Sequence, residues 1–393
     1  MKMAELKKTE QHKEEIYTCN RTRCGFCTQR CPVYEVTGLE TYSSRGRNLV
    51  ARGIMEGILE ITEDVVELAN TCLLCGYCEK NCALDNTEIF RDFKADLVEK
   101  GMTDKYLDDG VESIRNVGNP FKQKPEKRNI PEIKSNPKSK TLLFGGCTYS
   151  LTHQETLISM AKLLGDVNYL GEEEPCCNNL LMDAGYLKEF EKMKAGIVDI
   201  LKKTKAKEIV TGCPTCYRTI LEEYADEVKA KPIHFITKLA QMVKDGELKF
   251  ASKKKIKVTW HDPCHLGRFG GIIDEPREII KSVKNIDFVE MENHGLDSHC
   301  CGSGSGMMIA YPEIGIEISK KRIREAEAAG AEIMLTFCPT CEFTLQKGAS
   351  VIARDESDID EFDDDYDFDN PPPPPEPKMK VYNLLDWLLT MKK

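Results

Sequence analysis

EIVTGCPTC at residues 208–216 and EIMLTFCPTC at 332–341 decide the fold. Each is a short apolar run of strand length that leads directly into a Cys-Pro-Thr-Cys element. The chain around them also runs twice. A first copy opens with the strand-like TLLFGG before Cys147, reaches Cys176-Cys177, and continues into a helical pattern, LKEFEKMKAGIVDILKKT. It then passes through Cys213 and Cys216 to PIHFITKLAQMV. A second copy opens with KIKVTW, reaches Cys264 and then Cys300-Cys301, and continues into EIGIEISKKRIREAEAAG. It passes through Cys338 and Cys341 and closes on KVYNLLDWLLTM. The paired cysteines stand 124 residues apart between copies and the Cys-x-x-Cys cysteines 125 apart, so this is an internal repeat. Alternating short strands and helices predict parallel βα units, with the cysteines at the carboxyl ends of strands, where sites in open α/β sheets gather.

Each copy supplies five cysteines: one alone, an adjacent pair, and a Cys-x-x-Cys. The sets are Cys147, Cys176, Cys177, Cys213 and Cys216, and Cys264, Cys300, Cys301, Cys338 and Cys341. Five soft thiolates exceed what a tetrahedral zinc takes and suit a larger or distorted iron–sulfur cluster. A bridging thiolate is the natural use of an adjacent pair.

The region before residue 118 carries the other eight cysteines. Cys72-x2-Cys75-x2-Cys78-x3-Cys82 has the spacing of a [4Fe–4S] site whose fourth cysteine serves the neighbouring cluster. Upstream stands Cys19-x4-Cys24-x2-Cys27-x3-Cys31-Pro32, in which Cys19 falls two positions early and Arg21 takes the usual place. The pattern implies swapped ligation, one cubane on Cys19, Cys24, Cys27 and Cys82, the other on Cys72, Cys75, Cys78 and Cys31. Zinc knuckles usually pair two Cys-x-x-Cys elements across a longer loop, and that is not this arrangement. All 18 cysteines are thereby used, with none left over.

Between Cys31 and Cys72, RNLVARGIMEGILEITEDVVELAN reads as a helical stretch, and NPFKQKPEKRNIPEIKSNPKSK at 119–140 reads as a linker. The expected organisation is a ferredoxin-like domain at 1–118, the linker, a first cysteine-rich domain at 141–250 and a second at 251–393. An acidic and Pro-rich stretch at 353–377 reads as a solvated surface loop inside the second domain.

Composition limits the function classes. The chain has 393 residues, is 41% hydrophobic, and has no apolar run near the roughly 20 residues that span a bilayer. The start, MKMAELKKTEQHKEEIY, has no apolar signal core, so the expected location is the cytoplasm, with any membrane contact made through a partner. Residues 355–369 hold ten acidic and no basic residues, which accounts for the whole net charge of −10. The remaining body is neutral and has no basic stripe, which argues against nucleic acid as partner. No GxGxxG follows a strand, so no flavin or nucleotide site is expected and electrons must come from another protein.

The motifs resemble the cysteine-rich CCG domains of the heterodisulfide reductase catalytic subunits of methanogens, in which C…CCG…CxxC occurs twice. HDPCHLGR around Cys264, CCGSGSG at 300–306 and both CPTC elements carry the resemblance, which covers nearly the whole chain. SSRGR at 43–47 resembles a segment shared with the iron–sulfur subunits of glycolate and lactate oxidases. The resemblance implies a helical ferredoxin-like domain followed by two repeated parallel βα, Rossmann-like CCG domains. It implies two cubane [4Fe–4S] clusters and a non-cubane [4Fe–4S] cluster on each five-cysteine set. It also implies reduction of a small-molecule disulfide of the CoM-S-S-CoB type in anaerobic metabolism such as methanogenesis, with the ten cysteines of the two sets at the catalytic site. The electron donor would be a flavoprotein, a hydrogenase or formate dehydrogenase module, or a membrane cytochrome b. The rival reading is an electron-transfer subunit of a flavin-dependent 2-hydroxyacid dehydrogenase. Oxidase-type subunits tend to lack complete Cys-x-x-Cys elements, and this chain keeps both. Three departures from the pattern stand out: Cys19, the acidic loop, and Asn178 where Gly usually follows the first pair. His261, His265 and His299 lie beside cluster cysteines and could donate protons or tune potential, and Arg268 could hold an anionic group.

Overall fold

The computed structural model describes residues 6–356 and 375–391. The acidic and Pro-rich stretch therefore lies, over 357–374, outside the described residues.

The two copies form two parallel sheets. The first contains β1 (Thr141–Leu143), β2 (Glu208–Thr211) and β3 (Lys231–His234) in that order. The second contains β4 (Ala251–Trp260), β5 (Lys284–Phe288), β6 (Ile333–Thr336) and β7 (Lys380–Asn383), ordered β5-β4-β6-β7. The registers match: Leu143 faces Val210 and Val210 faces Ile233, as Trp260 faces Leu335 and Leu335 faces Tyr382. The extra strand β5 also has a trace in the first copy, a single parallel bridge between Leu142 and Asn168. β2 and β6 are the central strands, apolar on both faces because both faces are covered, with Ile209, Val210, Met334 and Leu335 buried. Each Cys-x-x-Cys turns from strand into helix. Cys213 and Cys338 are the extended caps, and Pro214 and Pro339 take the first helical position, where a missing N–H is harmless. The copies share one core in which Leu142 and Val210 join Trp260, Leu335, Phe337 and Leu384. Asn383 Nδ2 donates to Tyr149 Oη across the junction at 3.0 Å.

The N-terminal region is helical, with Lys13–Thr22, Ser44–Met55, Glu63–Asn70, Asn86–Glu99 and Lys105–Val117 as its longer helices. Two expectations need correction here. The stretch over 47–70 is not one helix but two, because the chain folds back at residues 56–62. Gly57 takes φ +70°, Leu59 N donates to Gly53 O at 3.0 Å, and the Leu59 side chain lies where a Cβ on Gly53 would be, 2.7 Å away. The segment 119–140 is packed rather than hanging free. Asn119, Arg128, Ile130 and Ile133 are buried, and Asn119 Oδ1 accepts from the N–H groups of Phe121 and Gln123. Arg128 donates to Gly118 O at 2.7 Å and to Glu174 O. Its composition reads as a linker, yet its backbone polar groups find side-chain partners.

Candidate functional site

Cys31, Cys72, Cys75 and Cys78 line one small cavity, together with Arg47, Tyr77 and Phe90. The SSRGR segment builds its wall. Ser43 Oγ accepts from Gly46 N at 3.1 Å and caps the helix, as Ser at that position commonly does. Buried Arg47 then donates Nε to Leu68 O at 2.9 Å, Nη2 to Thr71 Oγ1 at 3.1 Å, and Nη1 to Tyr42 O. Burial pushes the Cys31 thiol pKa up, and the Arg47 charge pulls it back. Burial also drives the Cys78 thiol well above its ordinary value.

The other ferredoxin-type cysteines also meet. Burial raises Cys19, where an Asn48 hydrogen bond opposes and Cys82 and Cys24 act as neighbouring charges. Burial pushes Cys27 up to about 11, with Cys19, Cys31 and Cys24 beside it. The irregular spacing has a plain cause: Cys19 sits in the last turn of helix Lys13–Thr22, which Arg23 ends in the left-handed region at φ 52°. Cys24 follows on the turn, so the helix supplies one sulfur and the loop the next.

All ten cysteines of the two repeats line a single cavity of about 310 Å³. Eight are buried and Cys147 and Cys264 partly so. The two halves share one electrostatic plan. The Cys177 thiol is held down to about 6 by hydrogen bonds from Cys176 and then Cys216. The Cys301 thiol is held well below its ordinary value by Cys300 and then Cys341. The flanking thiols move the other way, Cys176 up to about 12 and Cys216, Cys300 and Cys341 well up, because each donates to a thiolate in a buried place. The second cysteine of each pair is thus the sulfur that its neighbours' hydrogen bonds favour as thiolate, and in the second set Cys338, against its burial, is lowered as well by Cys341. Such converging soft donors fit an iron–sulfur cluster, and five of them surpass a zinc tetrahedron.

Asn178 takes φ 58° and ψ 18°, the left-handed conformation that Asn tolerates, and its N–H donates to Cys176 Sγ at 3.4 Å. The backbone of the first pair therefore keeps its turn without Gly. Cys75 ties the two kinds of site together. Its thiol is driven well above its ordinary value first by hydrogen bonding with the Cys300 thiol and then by burial. The cubane-type set of Cys72 thus touches the second five-cysteine set directly.

The basic residues beside the cysteines divide in role. His265 lines the shared cavity with Nδ1 unpartnered, and burial takes its pKa down to about 3. His261 is buried, and a ring nitrogen lies within 4.8 Å of Cys301 and Cys341 Sγ. Arg322 Nε donates to its Nδ1 at 3.2 Å, which leaves Nε2 carrying the proton, and a ring hydrogen bond to Cys301 helps hold that thiol low. His299 instead packs edge-on to Tyr77 and pairs with Glu325 at 3.4 Å. Arg268 is tied to the protein through Nε and Nη1, while its buried Nη2 has no hydrogen-bond partner among the described residues. Its Nε donates to Cys75 O at 2.9 Å, Nη1 reaches Leu296 O and Ser298 O, and its guanidinium lies over Tyr77, so it clamps the repeat to the dicluster region. Lys94 escaped the sequence reading. Buried in helix Asn86–Glu99, it donates Nζ to Cys72 O (3.2 Å), Asp183 O (3.0 Å) and Ser305 Oγ (2.6 Å), joining all three regions at one nitrogen.

Known proteins resemble this chain in sequence. A cysteine-rich domain profile, CCG, matches residues 141–221 and 258–346, and a 4Fe-4S dicluster domain profile matches 15–86. One subunit of the dihydromethanophenazine:CoB–CoM heterodisulfide reductase of Methanosarcina mazei is 28% identical over 366 residues, 85% of this chain and 89% of that protein. Its counterpart from Methanosarcina barkeri is 25% identical over 87% of this chain and 91% of its own length. One subunit of the fumarate reductase (CoM/CoB) of Methanothermobacter marburgensis is 25% identical over 82% of this chain and 66% of that protein. With a dicluster domain packed against two cysteine-rich CCG domains whose ten sulfurs share one cavity, this chain is an iron–sulfur oxidoreductase that is similar over most of its length to heterodisulfide reductase subunits.

Proposed function

We propose that this chain reduces a small-molecule disulfide in the cavity between its two five-cysteine sets, using electrons delivered by a partner protein through its ferredoxin-type sites. The observation that carries the reading is that one cavity, not two, gathers all ten cysteines. A single S–S bond placed there has a five-cysteine donor set on either side, so the two halves of the substrate can be received separately. Iron–sulfur clusters held by Cys147, Cys176, Cys177, Cys213 and Cys216, and by Cys264, Cys300, Cys301, Cys338 and Cys341, would supply single electrons and soft partners for sulfur. Two cubanes held by Cys19, Cys24, Cys27 and Cys82, and by Cys31, Cys72, Cys75 and Cys78, would feed them.

The chain's own residues do the rest. The Cys75–Cys300 contact offers the short path from the dicluster region into the second set. His265 presents an unpartnered ring nitrogen at the cavity wall, placed to hydrogen-bond a substrate or product sulfur. Burial of eight of the ten cysteines excludes water, as a buried, apolar-lined cavity does. No described helix is long and apolar enough to cross a membrane, so contact with one would pass through the partner, and we place the chain in the cytoplasm.

Anaerobic purification with iron analysis and EPR, followed by a viologen-linked disulfide reduction assay, tests this. About sixteen irons per chain and disulfide-dependent viologen oxidation are expected. Stoichiometric zinc with little iron would end the redox reading. Full iron with no disulfide turnover, alongside tight binding to a flavin-dependent 2-hydroxyacid dehydrogenase, would make the chain an electron-transfer subunit instead.

A further inference from the structure

The two ferredoxin-type cysteine sets do not face the same way. Cys31, Cys72, Cys75 and Cys78 close on an interior cavity, and Cys75 reaches Cys300 behind it. Among the 18 cysteines, Cys24 alone is exposed, and it lies beside Cys19 and Cys27. The set that holds Cys24 is therefore the one a second protein can approach.

The surface around Cys24 is basic. Residues 19–31 carry Arg21, Arg23 and Arg30 and no acidic residue. Arg45 acts as a neighbouring charge on Cys19, and Lys80, two positions before Cys82, meets Arg30 at Asp297. These five cations face three carboxylates. Glu14 stands 3.7 Å from Arg21 in a solvent-exposed pair, Glu40 stands 3.2 Å from Arg45, and Asp297 serves both Arg30, at 2.7 Å, and Lys80. Arg23 is exposed and pairs with no carboxylate among the described residues. Exposed pairs hold their partners weakly, so this face keeps a positive excess, on a body whose net charge outside 355–369 is zero. Two exposed apolar side chains stand among these cations: Phe26, 55% exposed, between Cys24 and Cys27, and Leu296, 45% exposed, next to Asp297. Apolar contact points inside a charged rim are the anatomy of a protein–protein contact. The face also spans two regions of the fold. Asp297 comes from the second repeat, and Arg30 and Arg268 lie over the Tyr77 ring at 5.2 and 5.1 Å.

We propose that the electron donor to this chain docks on the Cys24 face, and that it is a protein presenting an acidic surface around its own redox centre. The proposal rests on the reading that electrons enter through the ferredoxin-type sites, and it adds the place of entry and the kind of partner. In each encounter one electron leaves the reduced donor and enters the chain on the side of Cys19, Cys24 and Cys27. Two encounters supply the two electrons that one disulfide takes up with two protons. Opposite charge steers the donor and turns its redox centre toward Cys24. An anionic membrane would be drawn to the same cations, but it has no electron to give, and the exposed cysteine at this face favours a redox protein.

The test uses the iron-replete chain and two reductants of opposite charge: a reduced plant-type [2Fe–2S] ferredoxin, which is strongly acidic, and the methyl viologen radical, a small cation. Stopped-flow reduction by the ferredoxin should slow at least about fivefold as salt rises from about 0.05 M to about 0.5 M. At low salt it should slow by about the same factor in the double variant Arg21→Glu, Arg23→Glu. Methyl viologen should reduce that variant at least as fast as the parent, with iron per chain unchanged. Lys202→Glu, Lys203→Glu makes the same charge change in the last turn of helix Leu187–Lys203, in the first repeat, and should leave ferredoxin reduction as it was. Calorimetric titration with oxidised ferredoxin should show binding that the arginine variant loses. Absent ferredoxin reduction, reduction indifferent to salt and to the arginine variant, or equal slowing in the lysine control overturns the proposal. So does salt-sensitive binding that goes to phosphatidylglycerol vesicles or to a second copy of the chain instead of the ferredoxin. Disulfide turnover driven by methyl viologen in any of those cases would leave the proposed function standing. Ferredoxin reduction with the expected salt and variant dependence, but no disulfide turnover, would keep the docking face and remove the disulfide reading.

Discussion

Gly302→Ala probes why the second cysteine pair is followed by glycine. Gly302 sits at φ +94°, and a Cβ there would collide with Gly315 O and stand 3.0 Å from its carbonyl carbon. That carbonyl belongs to the first turn of helix Pro312–Ala328, so the collision is with backbone, not with the end of a flexible side chain. Relief requires the helix start or the cysteine turn to shift by roughly 0.5–1 Å. The left-handed conformation costs an L-residue about 1–2 kcal/mol, and overpacking adds about 1–3 kcal/mol. The sum is about 2–5 kcal/mol, which in a chain of 393 residues lowers Tm by roughly 2–6 °C. The first pair provides the internal control. Asn178 already carries a side chain at φ 58° and makes only a weak contact, Nδ2 to Met193 Sδ at 3.7 Å, so Asn178→Gly should change stability by less than about 1 kcal/mol. Thermal unfolding of anaerobic holoprotein followed by circular dichroism, with iron per chain measured before heating, separates the two variants. A Gly302→Ala protein that melts within about 1 °C of the parent and retains its iron would refute the reasoning.

The remaining predictions use the other unusual groups. Burial holds the Lys94 pKa down at about 8 against 10.5 in the unfolded chain, so the unfolded state binds the extra proton between those values. Stability contributed by this group therefore rises from pH 8 to 10.5, by about 3 kcal/mol, and Lys94→Met should flatten that rise in guanidinium midpoints read at pH 7.5, 9 and 10.5; an unchanged slope counts against it. His261 stands three residues before Cys264, where the first repeat has Phe144 before Cys147, and its ring N–H, hydrogen-bonded to Cys301, is placed to stabilise reduced sulfur there. His261→Phe should lower one reduction potential by roughly 40 mV, the one-electron equivalent of a hydrogen bond of about 1 kcal/mol, in an EPR-monitored titration. Cys300→Ser should abolish disulfide turnover while the ferredoxin-type EPR signals persist, and loss of both would mean that the Cys75–Cys300 contact makes one inseparable site.

The sequence exposes what is periodic or counted. The repeat, the strands that end in Cys-Pro-Thr-Cys, and the grouping of cysteines are legible because a strand of apolar residues and a ligand spacing are local patterns. Contacts between distant segments are not local. Lys94 looks like any charged residue on an amphipathic helix until Asp183 and Ser305 arrive from elsewhere in the chain. Arg268 beside a cysteine motif reads equally as an anion holder or a solvated surface residue, and neither reading anticipates its bond to Cys75 O. The packing of 119–140 is hidden for the same reason, since Pro- and Lys-rich composition says nothing about which carbonyls Arg128 will find.

The glycines of CCGSGSG show how far a motif can be read before geometry is needed. A ligand motif requires only the two cysteines and a backbone able to turn, and Asn178 meets that requirement in the first repeat. The second repeat needs more. A Cβ on Gly304 would collide with Leu73 O, in the loop between Cys72 and Cys75, so glycine here lets two chain segments press together. That approach is what brings the Cys75 thiol to the Cys300 thiol. The asymmetry between Asn178 and Gly302 arises inside the second repeat, where helix Pro312–Ala328 presses on Gly302, whereas Gly304 serves the separate contact with the dicluster region. A side chain at position 304 should accordingly disturb transfer between the two kinds of site before it disturbs the cysteine set that the motif names.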